Sequence, residues 1–307
     1  MAFLAFLNTI FLKVLGLLLS VVLMFTGASY SEAVIEAEDP ASVKLQFSVL
    51  SDVHMETYEL SRFEGFAATL QNIGAAKAKQ DALVLLGDNT MNGQVTEYLM
   101  LYSLLSKYNP VSASNTLLAM GNHDINISSK NPAKAIDRHN FFLASYNGTA
   151  NDKPYYSQEI NGYTFIVLGD EDPHEDCSAT ISAEQITWLA DTLGNAPAGK
   201  PVFIFLHQIL AHVVSEFGGW GTVGEQSEAL RAIIEQYPNV FVFNGHAHTP
   251  QKVIQNGGVT YVNLPTLLSG SHTGIGFQVE AYENNVLLRV RDYIAGEWLT
   301  PYDIPLV

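Results

Sequence analysis

The chain has a single cysteine, Cys177, so no internal disulfide can form and stability must come from burial. It is also short of positive charge: 15 Lys and Arg face 31 Asp and Glu, a net charge of −16. That balance repels nucleic acid and anionic membrane surfaces, so neither is expected as a main partner. An acidic chain still binds phosphate where metal ions reverse the local charge. Signs of modularity are missing too, with no Pro/Ser/Gly-rich linker, no charge run and no internal repeat. With 307 residues, 48% of them hydrophobic, one catalytic-size domain with a sizeable core is the expectation.

One long apolar stretch stands apart from that domain. Val14 to Phe25 is almost wholly apolar, preceded by Lys13 and followed by Thr26-Gly27-Ala28. This is the form of a secretory signal peptide, with cleavage expected after Ala28. Met1 to Leu12 is apolar as well, so the same stretch is long enough to span a bilayer as an uncleaved anchor. Either alternative implies export, to the cell envelope or beyond, with membrane contact only if the segment is retained. No cysteine lies near it, which excludes a lipid-modified Cys anchor. Residues 1–28 are thus read as signal peptide or anchor, 29–43 as a polar spacer and 44–307 as the folded domain.

From Lys44 the pattern alternates between short apolar runs and helical spacing. Strands are expected over Leu45–Leu50, Ala82–Leu86 and Thr116–Met120, with helices over Leu60–Gln80 and Val95–Tyr108 between them. A hairpin, Tyr155–Ile160 with Tyr163–Leu168, turns at Asn161-Gly162. Ser182 to Leu193 reads as a helix with Ser182 as N-cap and Gln185 at the capping-box position. Val202–Leu206 and Val240–Phe243 are buried strands around a helix, Glu225–Gln236. The last third is strand-rich, with strands over Gln251–Gln255, Val259–Leu264, Gly276–Tyr282 and Val286–Tyr293. The fold class is therefore α/β.

Each of five strands delivers polar groups where it leaves the core: Asp52-Val53-His54, Gly87-Asp88-Asn89, Gly121-Asn122-His123-Asp124, His207, and Gly245-His246-Ala247-His248. Sites in open α/β sheets form at the carboxyl ends of strands. A donor set of Asp, His and Asn without Cys suits manganese, iron or zinc rather than copper(I) or an iron–sulfur cluster. If the chain stays extended, Asp52 and His54 share one side, as do His246 and His248.

This order of blocks resembles that of the calcineurin-like metallophosphoesterases, over roughly Lys44 to Tyr293. The resemblance implies a two-sheet β-sandwich flanked by α-helices, holding two divalent or trivalent metal ions (Mn, Fe or Zn). It implies that Asp52, His54 and His248 bind one ion, that Asn122, His207 and His246 bind the other, and that Asp88 bridges them. It also implies hydrolysis of a small phosphoester by a metal-bridging hydroxide, with ions about 3.5–4 Å apart. His123 then stabilises developing charge or protonates the leaving alkoxide. Asp124 either orients His123 or caps the next helix. Asn89 either bonds substrate or serves the turn. His212 and His272 are further candidates to face the cleft, whereas His139 reads as a surface residue of a helix. Trp220, at the tip of Phe217-Gly218-Gly219-Trp220-Gly221, either stacks on substrate or packs on the body of the protein.

Departures from the family narrow the reading. Its purple acid phosphatases carry a tyrosine iron ligand three residues after the bridging aspartate, where this chain has Met91. That speaks against an iron–tyrosinate site. The loop Asn89-Thr90-Met91-Asn92-Gly93 is only similar to the Asp-x-Gly segment of cyclic-nucleotide-type phosphodiesterases. A phosphodiesterase is the leading expectation and a phosphomonoesterase on the same site the alternative. A catalytically silent binding module would have lost ligands, and none is missing.

Overall fold

The computed structural model describes residues 39, 41–75, 80–125, 131–149, 151–172, 177–218, 221–270 and 273–307. The N-terminal apolar segment, most of the spacer, Trp220 and His272 lie outside the described residues.

Two sheets face each other. In the first, β1 (Leu45–Leu50), β2 (Ala82–Leu86) and β3 (Thr116–Ala119) run parallel, each buried along its whole length. Beyond β1 lie the antiparallel β10 (Ile275–Ala281) and β11 (Asn285–Asp292). In the second, β5 (Tyr163–Val167), β6 (Val202–Phe205), β7 (Val240–Asn244) and β9 (Val259–Asn263) run parallel. It is edged by the antiparallel β4 (Tyr156–Ile160) and β8 (Lys252–Asn256). Strands covered on both faces need unbroken apolar runs, which is why these segments do not alternate in the sequence. Asn161 and Gly162 both take positive φ, 52° and 76°, as a two-residue hairpin between β4 and β5 requires.

Phe47 of β1 locks the sheets together. Its ring meets those of Phe165 and Phe203 edge-on at 4.9 Å, Phe205 at 6.2 Å and Phe243 at 6.5 Å. The alternate residues Ile166, Ile204 and Val242 point outward. They pack with Leu189 and Leu193 of α5 (Ala183–Gly194) and with Leu230 and Ile234 of α7 (Ser227–Ile234). On the first sheet's side, α1 (Leu60–Gly74) and α2 (Val95–Tyr108) bury Phe63, Phe66, Tyr98 and Leu101 into the main core.

Several boundaries differ from the expectation. Helix α1 ends at Gly74 rather than Gln80. The segment read as one helix from Glu225 divides into a 3-10 turn, Gly224–Gln226, and α7. Ser182 does cap α5, accepting from the Gln185 amide at 3.1 Å, but the box is closed by another residue. Glu171 accepts the Ser182 amide at 2.7 Å, while Gln185 bonds Gly169 and Glu171. The strands β12 (Glu297–Trp298) and β13 (Tyr302–Pro305) extend the first sheet through β11 and had no expectation. For α4 (Pro132–Asn147) only the helical setting of His139 was expected, without bounds, although its Asn131 cap, Pro132 start and Gly148 stop are present in the sequence. His139 lies on the buried face of α4, beside Tyr98, and not at the surface. Among the described residues no helix is long and apolar enough to cross a membrane.

Candidate metal centre

The strand-end blocks converge at the carboxyl ends of β1, β2, β3, β6 and β7. The backbone that brings them together is not extended. Asp52, His54, Asp88, His246 and His248 have φ of 56°, 47°, 46°, 66° and 51°, in the left-handed region. This corrects the expectation that a two-residue strand period aligns Asp52 with His54 and His246 with His248. Left-handed turns at alternate residues swing the side chains inward instead. Such conformations cost of order 1–3 kcal/mol each and persist only where the surroundings over-determine them. Here the His54 amide donates to the Asp88 carbonyl at 2.8 Å and the Met55 amide to that of Asn89 at 2.9 Å. Arg62 donates to the His54 carbonyl at 2.8 Å. Close approach also demands glycine: a Cβ at Gly121 would overlap the Asp88 carboxylate, and one at Gly245 the Ser51 hydroxyl.

The side chains form two groups that share Asp88. Asp52, His54, Asp88 and His248 present ligand atoms within 4.8 Å of one another, as do Asp88, His207 and His246. Asp52 Oδ1 lies 3.0 Å from His248 Nε2 and 3.5 Å from His54 Nε2. Asp88 Oδ2 lies 3.2 Å from His207 Nε2 and 3.6 Å from His54 Nε2. The Nε2 atoms of His54 and His248 face each other at 3.3 Å, the spacing of two donors aimed at one point. His207 donates from Nδ1 to the Leu86 carbonyl at 2.9 Å, which fixes its ring and leaves Nε2 facing the cluster. The Asn122 Oδ1 is buried with no hydrogen-bond partner, while His207 Nε2 faces the Asp88 carboxylate. An unpaired buried polar atom is costly, and a cation would satisfy it. The donor set therefore fits a pair of metal ions.

The charges fit as well. Burial alone raises the Asp88 carboxyl, but the adjoining His207, His54 and His123 outweigh it and hold it below the usual carboxylate range. Asp52 behaves alike: burial raises it, while His207, His248 and His54 bring it well below. Burial lowers His207, yet Asp88 and Asp52 push it up to about 9. In the ion-free chain, histidine protons thus supply the positive charge that metal ions would replace.

The remaining candidates separate. His123 is 21% exposed at the cluster's rim, its Nε2 4.0 Å from Asp88 Oδ2 and its ring 4.6 Å from that of His54. Its Nδ1 partner is the Met91 carbonyl at 2.7 Å, not Asp124. His123 and Asp124 are neighbours on the helical turn α3 (Asn122–Ile125), and consecutive helical residues do not face each other. Nor does Asp124 cap the following helix, where Asn131 holds that place. Asn89 is fully buried, donating to the Ala119 carbonyl at 2.7 Å and to Asp124 at 3.1 Å, so it does not reach a substrate. His212 sits apart from both ligand groups: its ring packs edge-on to Tyr261 at 5.1 Å, on the α7 side of the second sheet. Arg231, Glu235 and Glu228 are the charges it senses. The reading missed Ser51, whose hydroxyl donates to Asp52 at 2.5 Å, and the carbonyls of Leu86 and Met91. Backbone acceptors carry no sequence signal at all.

A family model described as calcineurin-like phosphoesterase matches residues 45–250. No curated protein sequence matches the chain. Solved structures do. A dimetal phosphatase from Danio rerio superposes with a TM-score of 0.66 at 14% identity, covering 86% of this chain and 100% of that one. A purple acid phosphatase from yellow lupin seeds gives 0.60 at 14% identity, covering 85% of this chain and 53% of that one. GAP50, the anchor in the inner membrane complex of Plasmodium, gives 0.54 at 12% identity, covering 86% and 89%. At such identities the likeness is one of fold, and the family match supplies the chemistry. With that match over most of the folded domain and a two-group ligand cluster at its strand ends, the chain belongs to the calcineurin-like phosphoesterases and is a metal-dependent phosphoester hydrolase.

Proposed function

We propose that the chain is an exported phosphodiesterase with two metal ions, the two-ion site being carried by the place of Asp88 in both ligand groups. In it Asp52, His54 and His248 would hold the first ion, Asn122, His207 and His246 the second, and Asp88 would serve both. Such ions, drawn from manganese, iron and zinc, would supply an activated water near neutral pH and positive charge for the phosphoester oxygens. The chain's own contribution is geometry and proton handling. Asp52 and Asp88 stay ionised under their histidine neighbours and are always available as ligands. His123, held at Nδ1 by the Met91 carbonyl, presents Nε2 on the open side of the cluster. From there it stabilises charge developing on the phosphoryl oxygens or gives a proton to the leaving alkoxide.

The preference for a diester rests on charge. A monoester dianion calls for an additional cation, and the arginines bonded to the site's loops are already engaged. Arg62 bonds the His54 carbonyl and pairs with Glu56 at 3.1 Å, and Arg138 bonds the Gly93 carbonyl. Export is supported by the apolar segment over residues 1–28, with 44–307 as the domain it delivers. Protein lacking residues 1–28 should hydrolyse a chromogenic phosphodiester faster than the matching monoester when given manganese, and lose both rates to a chelator. A higher rate on the monoester would replace the diester reading with a phosphomonoesterase. Recovery of the full-length chain from cytoplasm alone, with none in the envelope or medium, would remove the export reading.

A further inference from the structure

We infer that Asp124 is a positioning residue that clamps the loop carrying Asp88 to the loop carrying Asn122, and so sets how tightly the second ion is held. The inference rests on the two-ion reading above. The ladder between β2 and β3 ends at the pair Leu86–Ala119, just before the ligands begin. Beyond it Asp124, 1% exposed, takes over. Its Oδ2 accepts from the Asn89 amide at 3.1 Å, the Asn89 side chain at 3.1 Å and the Gly121 amide at 3.0 Å. Its Oδ1 accepts from the Thr90 amide at 2.9 Å and the Thr90 hydroxyl at 2.7 Å. Asn89 and Thr90 directly follow Asp88, and Gly121 directly precedes Asn122. One carboxylate therefore holds two ligand loops in register.

The arrangement requires a carboxylate. Every partner atom is a donor, and each oxygen receives at least two of them. An asparagine would turn an NH2 group toward donors on one side and leave them unpaired. The clamp is reinforced from the other loop, where the His123 amide donates to Asp88 Oδ1 at 2.8 Å. Asp124 does not act through the His123 ring, which is bonded to Met91 on another side. Partners of this kind, one step removed from the ligands, are worth about 10–100-fold in metal affinity.

The test compares the full-length chain with its Asp124→Asn variant by calorimetric titration with manganese. The wild type should bind two ions, and the variant should hold the second about 10–100-fold more weakly. At saturating manganese the variant's kcat should recover, with its pH profile unchanged. Thr90→Val keeps the shape of Thr90 and removes one donor to Asp124. It covers the case in which Asp124→Asn fails to fold, with a smaller loss of second-ion affinity expected. Unchanged second-ion affinity in folded Asp124→Asn, or in Thr90→Val if only that variant folds, overturns the clamp. So does a lowered kcat at saturating metal that is non-additive with His123→Ala, since Asp124 would then act through His123. A wild type that binds fewer than two ions overturns the two-ion reading and the clamp together. A wild type that binds two ions, with variants that bind them equally well, overturns the clamp alone.

Discussion

The middle of β1 and its carboxyl end obey different rules. Phe47 sits in an extended strand among four phenylalanine rings of the opposite sheet, in ordinary backbone geometry. Asp52 and His54, where the same chain leaves the sheet, are equally buried but left-handed and surrounded by charge. The core is held by volume and apolar area, which many side chains can supply. The edge is held by direction, since each ligand must point at a shared centre from a strained backbone. Damage to the core should therefore show in stability, and damage to the edge in chemistry.

The largest effect expected on the chemical side is that of Asp88→Asn. Asparagine tolerates the left-handed backbone, so the fold should survive while the shared ligand charge is lost. Metal-dependent hydrolysis should fall by at least about a thousandfold, or ~4 kcal/mol. A variant within tenfold of wild type in kcat/KM would show that the two groups do not share Asp88 functionally. On the core side, Phe47→Ala should lose about 3–5 kcal/mol of stability in urea unfolding. Manganese affinity of the protein that remains folded should be unchanged. Loss of metal binding in step with stability would erase the distinction between the two regions.

A smaller effect sharpens the comparison through pH. His207 in the ion-free chain is pushed up to about 9 from an ordinary 6.5. A raised value means its proton stabilises the fold fully below pH 6.5, and that this contribution disappears as the pH rises through 9. With chelator present, the unfolding free energy from urea titration should drop between those pH values, by up to about 3 kcal/mol. The metal-loaded protein should show a weaker dependence, because the ion stands where the proton did. Equal slopes with and without metal would mean that His207 does not exchange its proton for an ion.

The parts of the fold that were readable share a cause. β1, β2, β6 and β7 are unbroken apolar runs ended by polar blocks, and burial of both faces demands such runs. The ligand types were readable because few other uses place Asp, His and Asn together at five strand ends. Where several partners compete, position in the sequence does not decide placement. His212 and Asn89 are polar residues close in sequence to candidate ligands, yet one packs edge-on to Tyr261 and the other bonds the Ala119 carbonyl and Asp124. Asp124 follows His123 in sequence but diverges from it on a helical turn. His139 sits on the buried face of its helix with Ala135, Phe142 and Leu143, which inverts the usual inference from polarity to surface.

By itself the sequence determined the donor types, their order along the chain and the apolar runs that carry them. These are local properties, written in composition and spacing. Only the tertiary structure decided that the backbone at Asp52, His54, Asp88, His246 and His248 turns left-handed, and which partner each side chain keeps. Neither aspartate nor histidine prefers that conformation strongly enough to adopt it alone. It is imposed by bonds between distant segments, such as the His54 amide on the Asp88 carbonyl and the Asp124 carboxylate on Asn89, Thr90 and Gly121.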